Sequence, residues 1–374
     1  MIAIVNPRFF RNNQLIANET VLIDGDKILG FTNGTIPDGY TVIDAEQNYL
    51  TAGFMDLQIY GSGGNLFSAY PTAETLAQMD ADLMSKGTTG FLACIATNTD
   101  ETIERAILAA KAYRPMAKGF LGLHLEGPYL NAKRKGAHLE SYIKKATLDE
   151  VKRIIDLADG VVKMMTIAPE LQDDDVVNYL LANNVVLSIG HSDASFEQAT
   201  EAYNKGITTT THLFNAMPSI HHREPSLPTA LFNHPTAMSS IIVDGLHVNF
   251  EIVKMSYHLL KDRLFLITDA VTACNIGPYH HELAGDKFIT PGVALSGSNI
   301  TMADAVRNCI EKCGISTADA LKLATVNPAK VIGHDQFKGK IAEGLQADLL
   351  ILDSSFNVKE VIFGGKKVNP TFQH

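Results

Sequence analysis

Residues 119–128 read Gly-Phe-Leu-Gly-Leu-His-Leu-Glu-Gly-Pro, and this stretch holds the pattern that decides the fold. An apolar run leads into two chemically active residues, His124 and Glu126, and Gly127-Pro128 then turns the chain. Side chains two positions apart in a strand point the same way, so His124 and Glu126 share a face. A short run that is apolar on both faces is typical of a strand in a parallel sheet, which is buried on both sides.

The same unit recurs along the middle of the chain. Each apolar or β-branched run ends in Gly, His, Asp or Glu, and an amphipathic, helix-like segment follows it. The runs are residues 53–59, 90–95, 119–125, 161–167, 185–189, 207–211, 239–243 and 263–267. Eight βα units close into a (β/α)8 TIM-like barrel, which is the α/β fold that we predict. A doubly wound open sheet is the competing fold, and Pro225 and Pro228 interrupt the pattern at the seventh unit.

The two ends of the chain differ from the middle, because both read as β structure. Near the start, Gly25-Asp26 forms a hairpin turn between two short apolar runs, residues 20–24 and 27–31. Near the end, residues 348–353 and 361–365 are short strands with turn punctuation. Both termini are therefore predicted to be β-rich.

The composition limits the classes of protein to which this chain can belong. Its 374 residues fit two domains, although one α/β barrel alone takes about 250 residues. Hydrophobic residues make up 46%, enough for a large core, and the 19% of charged residues argues against a disordered or coiled-coil protein. The net charge of −10 disfavours nucleic acid and anionic membranes as partners, so an anionic substrate needs a local basic pocket.

We expect a cytoplasmic protein with no signal peptide and no membrane span. The first residues lack a basic start and a long apolar stretch, and no apolar run approaches the ~20 residues that span a bilayer. Cys309 and Cys313 are four residues apart, and we interpret them as a buried thiol pair rather than half of a metal site. The reason is that no second Cys or His pair is spaced to complete such a site. A reducing compartment fits this interpretation.

Chemically active residues collect at the C-terminal ends of the predicted strands, where TIM barrels carry their active sites. Taken singly, Glu126, His191 or His212 is equally well a member of a structural ion pair. Together they supply one carboxylate and two imidazoles with an open position, the usual form of a catalytic zinc site. Asp269 is either a helix N-cap or, beside a metal-bound water, a general base. The residues at these ends are Asp56, Gln58, Thr97, His124, Glu126, Glu170, His191, His212, Asn215, Asp244, His247 and Asp269.

Two basic loops are candidates for binding an anion. One holds Lys135-Gly-Ala-His138 after the third strand, and the other holds His221-His-Arg223 after the sixth. A basic loop is more often only solvated. In an acidic protein, however, Arg223 and His247 near one mouth of the barrel would suit a phosphate group.

Ten short motifs, taken in order, carry a family resemblance. They are Ala52-Gly-Phe-Met-Asp56, His124-Leu-Glu-Gly-Pro128, Lys135-Gly-Ala-His138, Thr166-Ile-Ala-Pro-Glu170, Gly190-His-Ser-Asp193, Thr211-His-Leu-Phe-Asn-Ala-Met217, His221-His-Arg-Glu-Pro225, Val243-Asp-Gly-Leu-His247, Thr268-Asp-Ala270 and Leu295-Ser-Gly-Ser298. The chain resembles the N-acetylglucosamine-6-phosphate deacetylases of the amidohydrolase superfamily over nearly its whole length. Each motif is weak alone, but the ordered set is highly specific.

The resemblance implies a role for each matching residue. Glu126, His191 and His212 would be the metal ligands. Asp269 would act as the acid–base residue, and His138 would be a second catalytic residue that stabilises the oxyanion. The implied substrate contacts are Ala137, His138, Asn215, Ala216, Arg223, Asp244, Gly245, Leu246, His247, Leu295, Ser296 and Gly297.

The resemblance also implies the domain organisation and the reaction. Residues 1–50 and 340–374 would form a small β-sandwich domain, and residues 51–339 the hydrolase barrel. The implied reaction is the attack of metal-activated water on N-acetyl-D-glucosamine 6-phosphate, giving D-glucosamine 6-phosphate and acetate. A homodimer is implied, with Arg223 acting in its own or in the partner's site. The alternatives are a deacetylase of the epimer N-acetylgalactosamine 6-phosphate, an N-acyl amino-acid hydrolase, and a non-catalytic binding protein on the same fold.

The expected cofactor is one divalent metal per chain, Zn²⁺. Many members of the superfamily carry a His-x-His pair for a second metal, and this chain has Asp56-Leu-Gln58 at that place. A glutamine amide is a poor zinc ligand, which puts a binuclear site in doubt. We expect Asp56 instead to orient a ligand histidine from behind.

Overall fold

A computed structural model describes residues 1–290 and 295–368 of the chain. The strands in these residues are β1 (Ile2–Val5), β2 (Phe9–Arg11), β3 (Gln14–Ile16), β4 (Thr20–Asp24), β5 (Lys27–Thr32), β6 (Thr41–Asp44), β7 (Tyr49–Ala52), β8 (Phe54–Ile59), β9 (Gly61–Ser62), β10 (Asn65–Leu66), β11 (Thr88–Ala96), β12 (Phe120–Glu126), β13 (Val162–Ile167), β14 (Val186–Ile189), β15 (Thr209–Thr210), β16 (Met238–Ile241), β17 (Leu264–Leu266), β18 (Glu282–Ala284), β19 (Lys287–Ile289), β20 (Leu349–Leu352), β21 (Val358–Phe363) and β22 (Lys366–Lys367).

Helices alternate with the strands through the middle of the chain. The α-helices are α1 (Ala73–Ser85), α2 (Asp100–Tyr113), α3 (Leu148–Ala158), α4 (Asp174–Ala182), α5 (Phe196–Asn204), α6 (Leu227–Asn233), α7 (Phe250–Leu260), α8 (Met302–Glu311), α9 (Thr317–Ala324) and α10 (Val326–Val331). Single 3₁₀ turns lie at Arg114–Met116, Ala132–Arg134, Glu140–Tyr142, Pro169–Leu171 and Lys261–Arg263. None of the helices in the described ranges is long and apolar enough to cross a membrane.

Eight parallel strands form one sheet in chain order, from β8 through β11–β16 to β17. The sheet closes on itself just beyond its last strand. The backbone N–H of Asp269 donates to the carbonyl of Gln58 at 3.0 Å, and that of Tyr60 donates to the carbonyl of Ala270 at 2.9 Å. The predicted (β/α)8 barrel is therefore confirmed, and the doubly wound open sheet is wrong.

The proline residues of the seventh unit fit the barrel without breaking it. Helix α6 begins after its N-cap, Ser226, and Pro228 lies in the first turn of the helix. A proline is tolerated there because the N–H groups of a first turn have no partner within the helix. Helix α6 leads into the seventh barrel strand, β16 (Met238–Ile241), which pairs in parallel with the sixth strand, β15, and with the eighth, β17.

The two termini meet in a small β unit, as the fold class predicted. One sheet has the order β5-β4-β1-β6, and the other has the order β22-β21-β20-β7. Ile4 and Leu50 from the start of the chain share an apolar cluster with Leu349 and Ile362 from its end. The boundaries near residues 50 and 340 stay a prediction, and β7, which ends at Ala52, belongs to a terminal sheet. Residues 369–374 of the predicted domain lie outside the described residues.

A buried carboxylate on α1 anchors the start of β12, the strand that ends in Glu126. Asp80 is only 2% exposed. It accepts hydrogen bonds from the backbone N–H groups of residues 118–120 at 2.9, 2.8 and 3.3 Å, and from the phenol of Tyr113 at 2.8 Å. A buried carboxylate needs such donors, and here they fix the strand along which Glu126 is placed.

The cysteines follow the expectation from their spacing. All four are free thiols. Cys309 and Cys313 are buried in the apolar core that surrounds α8. Burial raises the pKa of the Cys313 thiol to about 11, which keeps it protonated and unreactive.

Candidate metal-dependent active site

Three strand ends bring three ligand atoms to one point. Glu126 is the last residue of β12, and His191 and His212 each follow two residues after a strand, β14 and β15. The Oε1 atom of Glu126 lies 3.0 Å from Nε2 of His212 and 3.3 Å from Nε2 of His191. The two Nε2 atoms are 3.1 Å apart. The ligand atoms of this triad all lie within 4.8 Å of one another, close enough to hold one metal ion.

The backbone is strained at two of the three ligands and at Asp269. His191, His212 and Asp269 have φ angles of 49°, 34° and 54°, a left-handed conformation that costs a non-glycine residue about 1–3 kcal/mol. Such residues cluster at functional sites, where the surrounding structure imposes the conformation. Gly190 is required beside His191, because a Cβ atom there would lie 2.6 Å from a methyl carbon of Thr166.

The protonation of the triad suits a cation. The Nδ1 atom of His191 lies 2.8 Å from the carbonyl of Arg134, so Nδ1 carries the hydrogen and the Nε2 lone pair faces the centre. Burial lowers the pKa of His212, which keeps that imidazole neutral. Burial alone would raise the pKa of Glu126, but the imidazoles of His191 and His138 hold it well below its usual range.

This donor set fits a divalent metal. One carboxylate oxygen and the Nε2 atoms of two imidazoles converge to within 3.0–3.3 Å of one another, and a cation bound between them would accept all three as ligands. The set also leaves at least one coordination position open towards a cavity, as catalytic zinc sites do. We conclude that Glu126, His191 and His212 can hold a metal where a substrate can reach it.

Asp269 faces the triad across the side chain of Gln58. The Nε2 atom of Gln58 lies 2.7 Å from Oδ1 of Asp269 and 3.0 Å from Oε1 of Glu126. The pKa of Asp269 is raised well above its usual range, first by burial and then by the charge of Glu126. Asp269 therefore lies one side chain away from the triad, and its carboxyl group has a raised pKa.

His138 reaches the triad from the loop after β12. Its Nδ1 accepts the backbone N–H of Thr97 at 3.3 Å, so the hydrogen sits on Nε2, 3.1 Å from Oε2 of Glu126. Burial lowers the pKa of His138 to about 4. A neutral imidazole with its N–H at the metal centre can donate to an oxygen that gains negative charge.

The first barrel strand differs from the prediction. Asp56 is fully buried and accepts hydrogen bonds from the N–H groups of Gln58 and Thr268, both at 3.2 Å, and from the hydroxyl of Thr268. It contacts no ligand histidine, so the expectation that it orients one is wrong. Asp56 lies two residues deeper in the barrel than the rim, and the pair that reaches the triad is Gln58 with Tyr60. The phenol of Tyr60 donates to Oε2 of Glu126.

His124 also lies below the site rather than in it. Its Nδ1 is 3.0 Å from the carbonyl of Leu57, and its Nε2 is 2.7 Å from the hydroxyl of Thr166. Burial lowers the pKa of His124 to about 4. It is a structural histidine that connects β12 to β8 and to β13.

A cavity of about 830 Å³, counting its open mouth, lies over the triad. Most of the substrate contacts implied by the sequence line it. They are Ala137, His138, Asn215, Ala216, His247, Leu295, Ser296 and Gly297.

Four of the implied substrate contacts do not line this cavity. Arg223 is exposed, and within residues 1–290 and 295–368 its side chain forms no ion pair. Gly245 and Leu246 lie in a turn outside the cavity. Asp244 shapes that turn and orients His247, because its carboxylate accepts from the backbone N–H of His247 at 2.8 Å and lies 2.6 Å from its Nδ1.

The sequence reasoning missed four polar residues of the cavity, Tyr60, Ser68, Tyr279 and His281. Tyr60 lies two positions after Gln58, so strand alternation carried past Gln58 would have found it. Tyr279 and His281 come from the long connection after β17, where no motif marks them. Tyr279 is fixed by its hydroxyl, which donates to the carbonyl of Thr97 at 2.6 Å.

The sequence profile of the amidohydrolase family matches residues 49–368. The chain belongs to the amidohydrolase family. Amidohydrolases use a divalent metal, and the triad described above is the candidate place for it in this one.

Similar proteins cover nearly the whole of this amidohydrolase. The N-acetylglucosamine-6-phosphate deacetylase of Haemophilus influenzae is 32% identical over 97% of this chain and 98% of its own. The crystal structure of the N-acetylglucosamine-6-phosphate deacetylase from Pasteurella multocida matches with a TM-score of 0.93 at 31% identity, over 98% of this chain and 99% of that one. An N-acetylgalactosamine-6-phosphate deacetylase of a Shewanella species is 32% identical over 85% of this chain and 82% of its own.

We predict that one metal binds tightly per chain. Gln58 and Tyr60 direct N–H and O–H groups at Glu126, where a second metal would require ligands. Elemental analysis after purification without added metal, and titration of the metal-free protein, should both reach a plateau at one equivalent. His191→Ala or His212→Ala should lower metal content and activity together. Activity that rises until two equivalents are bound would contradict this prediction.

Proposed function

We propose that this amidohydrolase hydrolyses N-acetyl-D-glucosamine 6-phosphate to D-glucosamine 6-phosphate and acetate, as a cytoplasmic enzyme of amino-sugar catabolism. The observation that carries the proposal is the meeting of Glu126, His191 and His212 opposite Asp269 on one cavity. That set matches the chemistry of amide hydrolysis. Similarity over almost the full length to deacetylases of this sugar phosphate supports the choice of substrate.

Proton transfer in the proposed reaction belongs to Asp269. A divalent metal bound at the triad, which we propose is Zn²⁺, would lower the pKa of the attacking water and polarise the amide carbonyl. Asp269 accepts the proton of the attacking water, and its raised pKa allows it to hold that proton. It then donates the proton to the nitrogen of the departing sugar, because an unprotonated amine is a poor leaving group.

His138 is proposed to stabilise the charge that develops on the acetyl oxygen. Its Nε2–H points to the triad and is fixed by the contact of Nδ1 with Thr97. The hydroxyl of Thr97, 2.8 Å from the same Nδ1, adds to this fixation. A donor held in place before the reaction stabilises an oxyanion without a cost of reorganisation.

The phosphate group is proposed to bind between His247 and an arginine of a second copy. His247 lines the cavity and is oriented by Asp244. Arg223 is exposed and does not line the cavity of its own chain. Because the chain carries a net charge of −10, the phosphate needs a local cation, and a homodimer in which Arg223 enters the partner's cavity would provide it.

Three alternatives remain to be separated by assay. A deacetylase of the galacto epimer is favoured by the similarity to the Shewanella enzyme. An N-acyl amino-acid hydrolase would have little use for His247 and Arg223. A non-catalytic binding protein would be expected to lack Asp269 or one ligand, and this chain has all four.

A substrate panel tests the proposal directly. The zinc-loaded protein should hydrolyse N-acetylglucosamine 6-phosphate with a higher kcat/KM than its galacto epimer, the unphosphorylated sugar and an N-acetyl amino acid. Asp269→Asn should keep its metal and lose about 10²–10⁴-fold in kcat. Asp262→Asn, an exposed residue before β17, is the matched control. A parent protein inactive on both sugar phosphates, or a near-normal kcat for Asp269→Asn, would overturn the proposal.

The phosphate site is tested by Arg223→Ala. This change should lower kcat/KM for the phosphorylated sugar. The expected loss of transition-state stabilisation is roughly 2–4 kcal/mol, the range for truncating one partner of a charged hydrogen bond. The unphosphorylated sugar should hardly be affected. Equal losses on both substrates would mean that Arg223 is structural.

Mixed dimers separate action in the same chain from action across the dimer. A dimer of one Arg223→Ala chain and one Asp269→Asn chain has one complete site only if Arg223 acts in the partner's cavity. Co-expression of the two variants should then give a kcat/KM for the phosphorylated sugar above that of either variant alone. No restoration in isolated mixed dimers would assign Arg223 to its own chain.

A further inference from the structure

Glu126 has more partners than a metal ligand needs. The carboxylate is 2% exposed. On one oxygen, Oε1, it meets the Nε2 atoms of His191 and His212 and the amide of Gln58. The other oxygen, Oε2, meets the phenol of Tyr60 and, at 3.1 Å, Nε2 of His138. The two oxygens therefore face different chemistry, and a donor that is not a ligand occupies each.

We propose that Tyr60 and Gln58 are positioning residues for Glu126. Together they leave Oε1, which accepts the amide of Gln58, with its second lone pair facing His191 and His212 for the metal, and Gln58 also fixes Asp269 to this ligand. The inference rests on the proposed function and deepens it, since it concerns the same site. It assigns no catalytic role to either residue. Both act through the carboxylates that they contact.

The phenol of Tyr60 selects the oxygen. Its single O–H donates to Oε2 of Glu126, which removes a lone pair from metal binding and leaves Oε1 facing the two imidazoles. A carboxylate without this partner can rotate and bind a metal through both oxygens. Tyr60 is itself held in place. It shares an apolar cluster with Leu66, Cys94 and Val271, and its backbone N–H donates to the carbonyl of Ala270 at 2.9 Å.

The side-chain amide of Gln58 connects the metal ligand Glu126 to Asp269. Its two N–H groups are enough for two acceptors, and the nitrogen lies within 3.0 Å of Oε1 of Glu126 and 2.7 Å of Oδ1 of Asp269. The backbone of the same residue accepts the N–H of Asp269 at 3.0 Å. Asp269 is thus held from both the main chain and the side chain of Gln58, at a set distance from the metal ligand.

The first test measures zinc affinity and needs no turnover. Tyr60→Phe removes only the hydroxyl, and the Zn²⁺ dissociation constant of the folded, metal-free protein should rise about 10–100-fold, the usual effect of losing a partner of a metal ligand. Competition with a coloured chelator measures it. The matched control is Tyr113→Phe, which removes a buried phenol that donates to a different buried carboxylate, Asp80, at 2.8 Å. That variant should bind zinc as the parent does.

The second test separates positioning from substrate binding. Gln58→Met keeps the bulk of the side chain and removes its donors. At saturating zinc, kcat should fall about 10–100-fold while KM stays near the parent value, since Asp269 loses its placement but the substrate contacts remain. A rise in KM with an unchanged kcat would overturn the role of Gln58.

The outcomes distinguish this inference from the proposed function. Equal zinc affinity in the parent and in Tyr60→Phe would overturn it, as would equal losses in Tyr60→Phe and Tyr113→Phe. A parent protein that binds zinc but hydrolyses no N-acetylhexosamine phosphate would overturn the proposed function alone, because the comparison of zinc affinities would still decide the role of Tyr60.

Discussion

The carboxylate of Glu126 meets groups from four other segments of the barrel. Gln58 and Tyr60 come from the first strand, His138 from the loop after β12, and His191 and His212 from the ends of β14 and β15. A buried charge of this kind is costly unless every partner is in place. The barrel mouth therefore has to provide hydrogen-bond or metal partners for the carboxylate of Glu126, and the other residues of the site surround that carboxylate.

The barrel supplies that geometry through its closure. The hydrogen bonds that join the first strand to the segment after β17 are made by Gln58, Tyr60, Asp269 and Ala270, so the seam of the barrel and the site share residues. Asp56 strengthens the seam from below through Thr268. The left-handed backbone at His191, His212 and Asp269 lies shortly after strands β14, β15 and β17 of the same closed sheet.

The sequence was enough to predict the barrel and the meeting of Glu126, His191, His212 and Asp269 at its mouth. Parallel strands place their C-terminal ends together, so polar residues that follow the apolar runs are expected at the same mouth of the barrel. Alternation alone gives the face of a side chain and not its depth, which is why Asp56 was expected at the rim where Tyr60 lies. The positions of Tyr279 and His281 depend on a long connection whose path no local pattern encodes. Arg223 was expected beside His247 at the mouth of the barrel, but it is exposed and does not line the cavity there.

Anomalous diffraction at the zinc absorption edge, on crystals of the zinc-loaded protein, tests the central claim most directly. The account predicts one peak per chain, at about 2.0–2.2 Å from Oε1 of Glu126 and from Nε2 of both His191 and His212, with Oε2 turned towards Tyr60. A second peak beside Glu126, a metal bound through both of its oxygens, or a peak outside this triad would contradict it.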